Sequence, residues 1–143
     1  MHHTRKSVLK YRKLNQNDKK ASVKCSFCEN LATNTTVEST ETMWVVPNRV
    51  AYDYFEGVPT TGEHYMIVPK RHLVKFGEFT DQERREMFEL TAKYEEAGFN
   101  VYARSTQNIH RSQEHQHTHL IKLSEKQPTF VFASQKPYFM FHL

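Results

Sequence analysis

The sequence predicts an α+β domain built on an antiparallel sheet. Three observations carry this. At least five short segments are rich in β-branched and aromatic residues, the links between them are mostly short, and a single helix is strongly signalled. The 143 residues allow one hydrophobic core, and 38% apolar and 13% aromatic content is enough to fill it. No apolar run reaches the roughly 18 residues of a membrane span, and the N-terminus lacks the apolar stretch of a secretory signal, so a cytoplasmic protein with no membrane partner is expected.

Residues 1–24 hold eight Lys or Arg against Asp18, whereas the remainder is slightly acidic despite the overall charge of +4. They are expected to form a flexible basic extension, with the folded domain at 25–143. Such an arm either keeps the protein soluble or binds nucleic acid by releasing counterions from phosphates. Cys25 and Cys28 follow in "CSFC", a spacing that suits a redox pair, a disulfide or half of a zinc site. The turn-like "ENLATNTT" behind them favours metal over a redox pair, which should follow a strand and open a helix.

"TMWVVPN" and "VAYDYF" are expected as strands, "EGVPTTGE" as a loop, and "HYMIVP" as a strand stopped by Pro69. "KRHLVKFGEF" connects it to the helix of "TDQERREMFELTAKYEEAG". There Thr80 and Glu83 form a capping box, Met87, Phe88, Leu90 and Tyr94 supply the core face, and Gly98 the stop. "NVYARS" is a further strand, "TQNIHR" a loop and "QEHQHTHLIKL" another strand. "PTFVFAS" and "PYFMFHL" form a terminal pair.

Alternate residues of a strand share a face, so His115, His117 and His119 should form a row, with Glu114, Gln116 and Thr118 opposite. Three imidazoles in line suit metal binding, or phosphoryl chemistry with a central nucleophile flanked by donors.

In these residues the chain resembles the histidine triad (HIT) superfamily of nucleotide hydrolases and transferases. "HQHTHLI" matches the signature of three alternating histidines followed by apolar residues. "CSFC" is similar to the family's Cys-x-x-Cys, "GEHYMIVPKRH" to its Gly-His-x-x-apolar-apolar-Pro-Lys-x-His stretch, and "VVPNRVAYDY" to the Asn-x-x-Pro-Tyr strand of the dinucleoside polyphosphate phosphorylase branch. The four motifs stand in family order over residues 25–121.

The resemblance implies a sheet of about five strands with one long helix and a short one, and a catalytic set of His117, His119, His115 and His64. His117 would attack the α-phosphorus of a nucleotide, giving a nucleotidyl-histidine intermediate. His119 would donate to the phosphate or leaving group, and His64 would complete the cluster. Ser112 stands at a phosphate-binding position and Asn48 at one for the nucleoside, while Arg111 could clamp a phosphate. In zinc-bearing members the two Cys, the His after Pro-Lys-x and the first triad His hold the ion, which names Cys25, Cys28, His72 and His115 as a structural Zn2+ site. Departures stand between the histidines, where Gln116 and Thr118 replace the usual apolar residues and should make that face either wetter or packed on polar groups.

The expected activity is therefore a hydrolase or nucleotidyl transferase on phosphoanhydride or phosphoramidate bonds, with a nucleotide or dinucleoside polyphosphate as substrate and a homodimer as the assembly. A zinc-stabilised nucleotide-binding module with little catalysis is the first alternative. Nucleic-acid-end processing aided by the basic tail is the second.

Overall fold

The computed structural model describes residues 3–20, 25–30, 36–126, 133–135 and 138–140. Its elements run α1 (Arg5–Lys20), α2 (Ser26–Asn30), β1 (Glu38–Ser39), β2 (Met43–Pro47), β3 (Tyr54–Phe55), β4 (Val58–Pro69), α3 (Asp81–Glu96), β5 (Phe99–Ala103), β6 (Thr118–Leu123), β7 (Ala133–Gln135) and β8 (Tyr138–Met140). A short 3-10 turn at Phe76–Glu78 precedes α3. The main sheet is antiparallel with order β1-β2-β4-β6-β5, and β3 adds to the far end of β4. No helix among the described residues is long and apolar enough to cross a membrane.

Alternation along the strands gives the sheet two buried faces. Met43, Val45, Ile67 and Leu120 point to α3 and meet Leu90, Tyr94, Phe79, Phe99 and Leu73 in the main core. Val46, Met66 and Val68 point the other way and take Cys25 and Phe27 from the α2 segment. His119 and His64 belong to this second face, because His119 pairs with Met66 across the ladder and His64 with Ile121. The helix therefore builds the core on one side and leaves the other for chemistry.

The capping box of α3 is present as expected: the Thr80 side chain accepts from the Glu83 N–H, and the Glu83 carboxylate accepts from the Thr80 N–H. Gly98 ends the helix at φ 85°, a left-handed value that suits glycine. Phe88, expected in the core, is 74% exposed, since the helix turns only Leu90 and Tyr94 fully inward with Met87 at the margin. Glu83 does a second job. It is buried, and its two oxygens take Arg71 Nε at 3.1 Å and Nη2 at 2.8 Å, tying the 70–78 connection to the helix start. Replacing Glu83 with Ala removes the cap and this two-point bond, and should lower unfolding free energy by about 2 kcal/mol in urea titration. No change in midpoint would mean that the connection is held elsewhere.

Three other segments differ from the sequence expectation. Residues 5–20, expected as a flexible extension, form helix α1, capped by Thr4, whose side chain accepts from the Ser7 N–H at 3.4 Å. "EGVPTTGE" is the first half of β4 rather than a loop. Glu56 at φ 52° and Gly57 at φ 81° make a two-residue hairpin turn, and Gly62 at φ 88° absorbs a register shift between Thr60 and His64, so turn-forming residues lie inside a strand. The strand expected over "VAYDYF" shrinks to Tyr54–Phe55 because the Tyr52 N–H turns inward to His64 Nδ1 at 3.2 Å. The terminal pair is present as β7 and β8, and the rest of those two segments lies outside the described residues.

Candidate active site and metal centre

Only His119 of the three alternating histidines lies in a strand. β6 begins at Thr118, and the Gln116 N–H bonds to the Leu73 carbonyl at 2.7 Å instead of joining the ladder. The cause is Pro69. It ends β4 and has no N–H to offer, so residues 111–117 run past the strand end and pair with the connection that follows. All three imidazoles are nevertheless buried. They serve two different centres.

His117 and His119 line a cleft of about 670 Å³, with ring centroids 5.0 Å apart and nearly perpendicular. His117 Nδ1 lies 2.8 Å from the carbonyl oxygen of His115. A carbonyl only accepts, so Nδ1 carries the proton and Nε2 keeps a lone pair. The same logic fixes the next two rings. The Tyr52 N–H donates to His64 Nδ1 at 3.2 Å, which puts the His64 proton on Nε2. That N–H faces His119 Nδ1 at 2.9 Å, so His119 must carry its own proton on Nε2. The site thus pairs an imidazole lone pair with an imidazole N–H.

Burial keeps these rings neutral. Desolvation pushes His117 below the ordinary imidazole value, His64 down to about 3, and His119 well down. With folded values below the unfolded 6.5, the folded state takes up fewer protons in mild acid, so stability falls as pH drops from about 6.5 towards about 3. Well inside that window His64 alone costs about 1.4 kcal/mol per pH unit. Glu83 and Glu86 are held low, Glu86 at about 2 because Thr40 and Thr42 outweigh its burial, and their loss begins only below about 4.5. Urea midpoints between pH 7 and 5 should therefore fall in the native chain and fall less steeply in His64→Asn. Parallel slopes would remove His64 as the cause.

His115 faces the other way. Its Nε2–H donates to the Pro69 carbonyl at 3.0 Å, so Nδ1 is the free donor atom. That atom stands 3.5 Å from both Cys25 Sγ and Cys28 Sγ, and His72 Nδ1 is 3.3 Å from Cys28 Sγ. All four ligand atoms lie within 4.8 Å of one another. Tetrahedral zinc with bonds of about 2.3 Å to sulfur and 2.05 Å to nitrogen places such atoms about 3.5 Å apart, so the spacing fits. Burial and the neighbouring Cys25 push the Cys28 thiol up to about 11, a penalty that a dication among the sulfurs would reverse. Phe27, between the cysteines, packs on His115 at 5.6 Å and on His117 at 5.4 Å, and so joins the two centres.

The other sequence candidates divide. Ser112 and Asn48 line the cleft, and the Asn48 Nδ2 is nearly equidistant from both His64 ring nitrogens, at 3.3 and 3.2 Å, hence over the ring face. Arg111 does not line it. Its Nε and Nη2 donate to the carbonyls of Val74, Gln113 and Glu114 and to the Gln116 side chain, so it straps the loop, while its Nη1 is buried with no partner among the described residues. Gln116 and Thr118 are buried and line no part of the cleft, and Gln116 packs on the Arg111 guanidinium at 3.1 Å, which is the second of the two arrangements expected for that face.

Several contributors had no sequence signal. His110, set aside as a loop residue, lines the cleft, as do Tyr52 and Arg104, whose Nη2 donates to the Tyr52 hydroxyl at 2.9 Å. α1 supplies a wall through Tyr11 and Leu14. The Thr4 N–H bonds to Asp53 at 2.7 Å, fixing the helix start against the body. The Thr4 cap and the three-residue spacing of Val8, Tyr11 and Leu14 could have revealed this helix.

No protein-family profile and no curated protein sequence matches the chain. Solved structures do. A member of the HIT family of proteins from Bacillus subtilis is 22% identical with a TM-score of 0.57, covering 79% of this chain and 82% of its own. A histidine triad nucleotide-binding protein from Candida albicans is 18% identical with a TM-score of 0.56, covering 80% and 85%. A HIT family hydrolase from Clostridium thermocellum is 16% identical with a TM-score of 0.54, covering 76% and 98%. The chain has the histidine triad fold.

Proposed function

We propose that this chain, a histidine triad protein by fold, is a nucleotide phosphohydrolase or nucleotidyl transferase that works through a covalent intermediate on His117. The carrying observation is the bond from His117 Nδ1–H to the His115 carbonyl, which leaves Nε2 as a nucleophile in the cleft. Nε2 attacks the α-phosphorus, and the bond to the leaving group breaks with its electron pair going to the leaving group, which the neutral His119 Nε2–H stabilises by a hydrogen bond while solvent supplies any proton it takes up. The phosphorylated ring is cationic, and the His115 carbonyl holds its remaining N–H. Water or another acceptor then takes the nucleotidyl group and the N–P bond breaks. Ser112 and Asn48 would orient the phosphate and nucleoside.

Cys25, Cys28, His72 and His115 would hold a structural Zn2+. When bound, the ion supplies no chemistry to the cleft; it fixes the segment that carries His117. A cytoplasmic location suits thiols kept reduced for a metal. A homodimer is part of the proposal, because β5 is the sheet edge among the described residues and its Val101 is 38% exposed.

Purified protein incubated with adenosine phosphoramidate and with diadenosine tetraphosphate tests the enzyme reading. Release of adenosine monophosphate supports it. Tight binding without turnover would favour the zinc-stabilised binding module. A second reading is processing of nucleic-acid ends, favoured by α1, which lines the cleft and carries seven basic residues against Asp18. Nucleic-acid affinity whose salt slope survives deletion of residues 1–20 would remove it.

A further inference from the structure

We propose that Arg104 makes this site selective for nucleotides whose leaving group is itself a phosphate or polyphosphate over those that expel a neutral amine. The inference rests on the nucleotidyl-transfer reading and narrows its substrate class. Arg104 is the first residue after β5, where Ala103 pairs with Thr118 and the histidine segment enters β6. The strand ends therefore bring it beside the reacting imidazoles.

Its guanidinium is held at two points. Nη2 donates to the Tyr52 hydroxyl at 2.9 Å, and Nη1 donates to the His110 carbonyl. The Tyr52 ring packs on His119 at 5.6 Å and on His64 at 4.7 Å, so Arg104 is fixed on the side of the proton-donating pair. It is half-buried and lines the same cleft as His117 and His119. Burial first, then Arg111 and Arg104 together, lower the proton affinity of His117, and Arg104 adds to burial at His119.

Departure of a phosphate leaves negative charge developing on the bridging oxygen at the His119 side. Departure of an amine, which takes its proton from solvent, leaves none. A cation positioned before the reaction lowers the barrier only in the first case. Arg111, the other cation near His117, does not line the cleft, and its Nη2 is held by loop carbonyls. Arg49 also lines the cleft but is exposed at its rim, which makes it a control for nonspecific cleft charge.

The test compares wild type with Arg104→Gln, Arg104→Lys and Arg49→Gln on diadenosine tetraphosphate and adenosine phosphoramidate. In Arg104→Gln, kcat/KM for the tetraphosphate should fall about 10²-fold while the phosphoramidate value changes less than about 5-fold. Arg104→Lys should recover part of the loss, and Arg49→Gln should leave the ratio of the two substrates unchanged. Parallel losses on both substrates would mean that Arg104 only holds Tyr52, and no change would mean that it is idle; either overturns the proposal. If wild type turns over neither compound, the nucleotidyl-transfer reading fails separately, and calorimetry with inorganic tripolyphosphate then decides the role of Arg104. Weaker binding by Arg104→Gln at an unchanged thermal midpoint supports it, and equal behaviour of the two proteins overturns it.

Discussion

His117→Ala should lose at least about 10³-fold in turnover of any nucleotide substrate, because neither of the two triad imidazoles beside it can replace the missing lone pair. His119 points its lone pair at His64 and offers only an N–H, while His115 faces the cysteines. Replacing the nucleophile should leave the fold intact. The one hydrogen bond resolved for the His117 ring is to a carbonyl two residues back, and the void left by alanine opens to the cleft and its solvent. Circular dichroism and a thermal midpoint within a few degrees of wild type, with nucleoside monophosphate still binding, would separate lost chemistry from lost structure. Retained turnover would return the nucleophile to an open question.

Removing zinc should have the next largest effect, on stability and activity together. The α2 segment meets the body through Cys25, Phe27 and the sulfur–imidazole cluster, and Phe27 is in turn a wall for His117. Structural zinc binds with about 10–16 kcal/mol in small peptides. In a chain with its own core, only the part set by free zinc appears as stability, about 4 kcal/mol at a thousandfold excess over Kd. Elemental analysis should find one zinc per chain, reduced in Cys28→Ser. Chelation should lower the thermal midpoint and the activity in step. A chelated protein with unchanged midpoint and rate would mean that the cluster is not a metal centre.

Much of this was legible in the sequence, for reasons that differ by residue. α3 announced itself because Thr80, Glu83 and Gly98 are local signals that need no tertiary partner. The four zinc candidates and His64, His117 and His119 were legible through the resemblance of their motifs to the histidine triad pattern, which relates positions that spacing alone leaves open. Arg104, Tyr52 and His110 were not, because they come together across β5, the loop after β2 and the loop before β6, and no spacing encodes that. The place of Arg111 was hidden for the same reason: its proximity in sequence to Ser112 said nothing of the Val74 and Glu114 carbonyls that hold its Nη2. "EGVPTTGE" misled because Gly62 serves a bulge inside a strand, where glycine and proline usually end one.

The most direct test of the account is to mix the protein with a nucleotide substrate, quench within milliseconds in base, where a phosphoramidate bond survives, and map the adduct by mass spectrometry. A nucleoside monophosphate mass on the peptide carrying His117, absent in His117→Ala, is the predicted result. Rapid product formation with no adduct at any time, or an adduct on another residue, would contradict it.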